Sequence, residues 1–189
     1  SDFPIENLPY GVFDPGDGQR LGVALGDHVV DLRSAAQVGL LPNQVELAAP
    51  VLNPFLSLGR AAWQETREAI TELLSTDRFD RLPFEAVRER RTVQMRRAFD
   101  PGDYVDFYSS IHHATNLGRM FRPGEEPLNP NWRHMPIGYH GRSSSIVVSG
   151  TPVRRPRGQV KPADGPPLTA PTAALDIELE VGFISGPGN

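Results

Sequence analysis

The chain has 189 residues, 39% of them hydrophobic and 22% charged, so it holds enough apolar material for one large domain or two small ones. Its net charge of -4, with Lys161 the only lysine, argues against a nucleic-acid partner, which would call for a basic surplus. The cysteine count of 0 excludes disulfides, thiolate chemistry and sulfur-ligated zinc. No run approaches the ~18 apolar residues of a membrane span. The opening Ser1-Asp2-Phe3-Pro4-Ile5-Glu6 has neither the basic flank nor the apolar run of a signal peptide, so a cytoplasmic location is expected.

In chain order, Gly11-Val12-Phe13 reads as a first strand, Leu21–Leu25 as a second and His28–Leu32 as a third. Gly26-Asp27 between the last two is a two-residue hairpin turn. Asn53-Pro54 carries the N-cap and first-turn proline of a helix, and Trp63, Thr66, Ile70, Leu73 and Leu74 recur at helical spacing, which predicts an amphipathic helix over 54–75. The arginines between Arg88 and Arg97 read as a solvated connector or strand edge rather than a basic patch. At Asp100-Pro101-Gly102 the composition turns toward aromatics, histidines and serines, which places a domain boundary near residue 100. Ser145–Ser149 is a predicted strand, the proline-rich Arg154–Pro171 a long loop, and Leu175–Ile184 a strand again.

Three stretches carry candidate chemistry. In Asp176-Ile177-Glu178-Leu179-Glu180-Val181 a strand would put the three acids on one face and the aliphatics on the other. Same-face neighbours lie about 7 Å apart, so buried carboxylates would repel unless a hard divalent cation sits among them. A half-exposed antiparallel strand has the same pattern, and the hexapeptide alone leaves both readings open. The stretch Asp103–Asn116 gathers a carboxylate, phenols, hydroxyls and the pair His112-His113, a supply of general acid–base groups or simply a helix start. It has no Gly-x-Ser-x-Gly elbow to position a serine nucleophile, and its histidines lack a recognised zinc spacing. In Gly138-Tyr139-His140-Gly141-Arg142 two glycines bracket side chains that a bent backbone, or merely a tight turn, would present. The Gly-Lys-Ser/Thr ending of a phosphate loop is absent.

Taken together, Asp106-Phe107-Tyr108-Ser109-Ser110, His113-Ala114-Thr115-Asn116, Met120-Phe121-Arg122, Pro136–Arg142 and Gly186-Pro187-Gly188-Asn189 resemble the fumarylacetoacetases of the fumarylacetoacetate hydrolase family. The resemblance runs in order from about residue 9 to the last residue and is strongest from Gly102 onward. It implies a mainly β protein with few helices: an SH3-like small barrel domain with its amphipathic helix over 1–100, then the start of a mixed β-roll over 101–189.

The resemblance also implies a function: hydrolysis of the carbon–carbon bond of 4-fumarylacetoacetate to fumarate and acetoacetate, the last step of tyrosine catabolism. Asp106, Glu178 and Glu180 match carboxylate ligands to a divalent metal, calcium first and magnesium second, whereas Asp176 matches none. His113 matches the base that activates water, and Tyr108, Arg122 and Tyr139 match positions that contact the β-diketo dicarboxylate substrate. A homodimer is expected on the same ground, and no membrane or nucleic-acid partner. The family's remaining site residues and most of its β-roll lie beyond Asn189. The chain is therefore expected to be a truncated piece, inactive and weak in metal binding without the C-terminal half of the same protein. Related family members acting on other β-diketo or acyl-pyruvate acids, as hydrolases, hydratases or decarboxylases, are the alternative among enzymes. A non-catalytic interaction module is the alternative outside them.

Overall fold

The computed structural model describes residues 2–135, 137–141, 143–175 and 177–187. The chain divides into two compact units, one formed by Ser1–Phe99 with Val147–Asn189 and the other by Asp100–Ile146.

The first unit is built on a five-stranded antiparallel sheet. Strands β1 (Tyr10–Asp14), β2 (Arg20–Leu25) and β3 (His28–Asp31) form a meander, and the chain returns later to add β4 (Val87–Glu89) and β5 (Gln94–Arg96), in the order β4-β3-β2-β1-β5. The sharp β2–β3 turn is the expected Gly26-Asp27: Leu25 pairs with His28, and Gly26 has a φ of 58°, a value that costs glycine nothing. Both edges come from the arginine-rich 87–96 stretch, in which Glu89, Arg90, Arg91, Thr92, Gln94 and Met95 are exposed while Arg88 and Arg96 are half-buried. This sheet accords with the mainly β fold, with few helices, anticipated from the sequence.

Between β3 and β4 run four helices: α1 (Leu32–Gln37), α2 (Gln44–Leu47), α3 (Asn53–Leu56) and α4 (Arg60–Ser75). The third strand ends one residue earlier than expected, because Asp31, its last ladder residue opposite Gly22, also caps α1, so that Leu32 is already helical; the Asp31 carboxylate accepts the Ser34 N–H at 3.0 Å. Asp31 is fully buried and also accepts from Arg20 Nη1 and the Ser34 hydroxyl, each at 2.8 Å. The helix expected over 54–75 is two helices. Gly59, with φ 83° and ψ 179°, lies outside helical space, so the Pro54-headed turn stops and α4 starts afresh at Arg60. The apolar period nevertheless holds, since Thr66, Ile70 and Leu73 are buried. With Val12, Leu21, Val23, Val30, Leu47 and Phe55, Ile70 and Leu73 fill one core; each large apolar side chain so buried contributes roughly 1.5–3 kcal/mol. Trp63 donates its indole N–H to the Phe55 carbonyl at 3.1 Å and bridges the break.

The later part of this unit departs from expectation. Arg157–Val160 (β8) and Leu168–Pro171 (β9), expected as loop, form an exposed hairpin; β6 (Asp106–Phe107) and β7 (Gly138–Tyr139) belong to the other unit. Gly165 supplies φ 104° in its loop, and Pro171 sits at the strand end where no ladder N–H is needed. The strand expected over 145–149 is absent: Ser143–Ser145 is a 3-10 turn and Val148 accepts the Thr151 N–H in another turn. A β-branched run has no ladder without a neighbouring strand. The same reason applies at Leu175–Ile184, where no described residue is in a strand. Ile177, Leu179 and Val181, expected to pack inward, are 91%, 101% and 97% exposed. Asp176, the third acid of that stretch, lies outside the described residues, as do Pro136, Arg142, Gly188 and Asn189 of the motifs above.

The second unit pairs β6 (Asp106–Phe107) with β7 (Gly138–Tyr139) and carries helix α5 (Ile111–Phe121) between them. No helix among the described residues is long and apolar enough to cross a membrane.

Candidate active site

The second unit holds most of the predicted site residues, and its register explains their placement. The antiparallel pair sets Asp106 opposite Tyr139 and Phe107 opposite Gly138, and the Tyr108 N–H continues the ladder to the Ile137 carbonyl at 3.0 Å. Directly opposite residues share a face. Asp106 and Tyr139 therefore meet, and the Tyr139 hydroxyl donates to Asp106 Oδ2 at 2.8 Å. Burial alternates along the strand: Tyr104, Asp106 and Tyr108 are half-buried while Asp103, Val105 and Phe107 are exposed. A Tyr-x-Asp-x-Tyr face results from the period of two.

Helix α5 begins where this strand ends. The Ser110 hydroxyl accepts the His113 N–H at 3.4 Å, capping the helix and settling His112-His113 as its first turn. Tyr108 leans on that turn. Its ring meets the His113 imidazole edge-on, 5.5 Å between centroids at 80°, and its hydroxyl donates to the Ala114 carbonyl at 3.3 Å. The Trp132 indole N–H in turn donates to the Tyr108 carbonyl at 2.9 Å. His113 itself is exposed, so its imidazole is open to water and ligand.

Arg122 closes the C-terminal end of the same helix. Its Nη2 donates to the Pro127 carbonyl at 2.7 Å, and its Nε is buried without a hydrogen-bond partner among the described residues. The loop is held against α5 because Gly118 has no side chain: a Cβ there would overlap the Pro127 carbonyl oxygen.

Thus the structure brings together Asp106 with Tyr139 and Tyr108 with His113, and sets Arg122 at the far end of the helix that bears His113. Glu178 and Glu180 are exposed and belong to the other unit. Among the described residues no group of three or more histidine, aspartate or glutamate side chains gathers to hold a metal ion. As a donor set, the three carboxylates offer only hard oxygens, the type calcium and magnesium take. Asp106 retains acceptor capacity for a cation beyond its bond from Tyr139, since an ionised carboxylate has about four lone-pair sites.

Tyr104, Ser110, Trp132 and Gly141 were not singled out from the sequence as site residues. The signal for Tyr104 was present in the strand-like spacing Tyr104-x-Asp106-x-Tyr108. The Trp132 contact joins positions 24 apart and has no local signature.

Residues 6–100 match the family model described as Fumarylacetoacetase N-terminal. The chain belongs to this family. Its relatives include proteins named fumarylacetoacetase from Bos taurus, 48% identical, from Homo sapiens, 48% identical, and from Arabidopsis thaliana, 44% identical. Each alignment covers 100% of this chain and 48% of the relative, so the chain spans about half the length of the curated relatives it matches. The alignments run past the N-terminal family region and span β6, α5, β7 and the Glu178-Leu179-Glu180 stretch.

Proposed function

We propose that the whole protein hydrolyses a carbon–carbon bond of a β-diketo dicarboxylic acid, 4-fumarylacetoacetate, to fumarate and acetoacetate. The single observation that carries the reading is the Asp106–Tyr139 pair next to the Tyr108–His113 contact. It puts a carboxylate, two phenols and an imidazole on one face of the β6–β7 pair and the helix turn that follows β6, within a chain 48% identical to fumarylacetoacetases along its whole length.

In this reading Asp106, Glu178 and Glu180 hold one divalent cation in the whole protein, calcium or magnesium. When bound, the cation supplies Lewis-acid polarisation of the diketone oxygens. His113 removes a proton from water, and the hydroxide adds to the carbonyl carbon. The carbon–carbon bond then breaks, its electron pair leaves with acetoacetate as the enolate, and a proton is returned to carbon. The edge of the Tyr108 ring restrains the imidazole as it does so. Arg122, with Nη2 on the Pro127 carbonyl and Nε buried, has Nη1 left to meet a substrate carboxylate. Tyr108 and Tyr139 contact the substrate in this reading by covering the site with apolar ring surface; to donate to a substrate oxygen, each hydroxyl would have to leave its present acceptor, the Ala114 carbonyl or Asp106 Oδ2. Pairing of two copies belongs to the same proposal and is read by light scattering.

The test is His113→Ala in the whole protein. Hydrolysis should be abolished while the melting temperature and calcium binding stay at parental values. Unchanged turnover would overturn the assignment and favour a non-catalytic interaction module.

A further inference from the structure

Continuing the β6–β7 register two residues outward sets Gly141 opposite Tyr104. The side chains confirm it: a Cβ on Gly141 would collide with Cε1 and Cδ1 of the Tyr104 ring. Gly141 therefore leaves the space that the ring occupies. From that position the Tyr104 hydroxyl lies 3.5 Å from Asp106 Oδ2, a contact longer than an ordinary O–H···O hydrogen bond. Tyr139 donates to the same oxygen at 2.8 Å. Two phenols from two strands converge on Oδ2, and neither contact falls on Oδ1. A carboxylate held in this way at one oxygen is restrained about its Cβ–Cγ bond, which leaves Oδ1 without either phenol contact.

We propose that Tyr104 is a positioning residue: with Tyr139 it fixes the orientation of the Asp106 carboxylate so that Oδ1 is presented to a divalent cation, and Gly141 is glycine to admit the Tyr104 ring. The inference rests on the reading of Asp106 as a cation ligand. Groups that orient a metal ligand typically matter by 10–100-fold in affinity, and the long Tyr104 contact places this one at the lower end. Tyr104→Phe keeps the ring over Gly141 and removes only the hydroxyl, so packing is preserved and orientation is lost.

The experiment is calorimetric titration of calcium alone into the whole protein. Tyr104→Phe should bind calcium about tenfold more weakly, with an unchanged melting temperature. Gly141→Ala, which expels the ring, should weaken binding at least as much. Adding Tyr104→Phe to it should cause no further loss, because the hydroxyl contact is already gone. If Tyr104→Phe binds within twofold of the parent while Asp106→Asn loses binding, the positioning role is overturned and the ligand role of Asp106 stands. If Asp106→Asn binds like the parent, both are overturned. A purely structural tyrosine would lower the melting temperature in Tyr104→Phe and leave affinity alone, which also overturns the proposal.

Discussion

Adding one methyl group at Gly118 sets two effects against each other. Gly118 lies in α5 one turn before Arg122, whose N–H bonds back to the Gly118 carbonyl at 2.9 Å. An alanine Cβ would overlap the Pro127 carbonyl oxygen and come within 2.7 Å and 2.9 Å of its C and Cα atoms. All three are backbone atoms, so relief requires the 122–127 loop to move. That movement breaks the 2.7 Å bond from Arg122 Nη2 to the same carbonyl. Helix propensity alone favours alanine by about 1 kcal/mol. Overpacking costs about 1–3 kcal/mol, and a hydrogen bond from a charged group is worth about 1.5–3 kcal/mol. The losses win, leaving Gly118→Ala destabilised locally by about 3 kcal/mol, which corresponds to a roughly 100-fold larger population of the open form. Hydrogen exchange in the whole protein reads this directly: amides of α5 should exchange on the order of 100-fold faster. Substrate affinity should fall too, because Arg122 loses the contact that aims its fork. Exchange that is unchanged or slower would refute the steric argument and mean that propensity governs the site.

Asp31→Ala should lower the stability of the first unit by about 3 kcal/mol, since it leaves Arg20 without its buried partner and α1 without its cap; chemical denaturation checks this, and a loss below about 1 kcal/mol would contradict it. The Asp14 carboxyl is held below its ordinary range by the Gly16 N–H, the Arg96 guanidinium and the Gly18 N–H. Its contribution is therefore complete above pH ~4 and fades as pH falls through the lowered folded value. The stability gap between the parent and Asp14→Asn should be steady from about pH 5 to 8 and close on acidification below about pH 4; a gap that widens there reverses the sign. The Tyr10 hydroxyl is buried without a hydrogen-bond partner among the described residues, and burial raises its pKa against the opposing influence of Arg67. Tyr10→Phe should leave thermal stability unchanged or up to about 1 kcal/mol higher, whereas a loss of that size would indicate a partner for the hydroxyl.

The N-terminal sheet was legible because its signals are local. Gly26-Asp27 specifies a turn through glycine's tolerance of positive φ, and the strands on either side alternate or cluster apolar residues whose burial follows. The α4 period was legible for the same reason, while its interruption at Gly59 was not, because a glycine inside a helical pattern can be tolerated or can end the helix. Leu175–Ile184 has strand composition and no ladder: alternation states a preference, and a neighbouring strand is needed to realise it. In the site, the acid, the imidazole and the phenols could be picked out as residue types, and the resemblance assigned them roles. The pairing of Asp106 with Tyr139 across 33 positions, and the seat that Gly141 makes for Tyr104, depend on a register that no local pattern specifies.

Crystallography of the whole protein soaked with manganese, read by anomalous scattering, tests the central assignment most directly. The account predicts a single strong peak about 2.0–2.6 Å from oxygens of Asp106, Glu178 and Glu180 together. A peak ligated elsewhere, or none where these three carboxylates are well ordered, would contradict it.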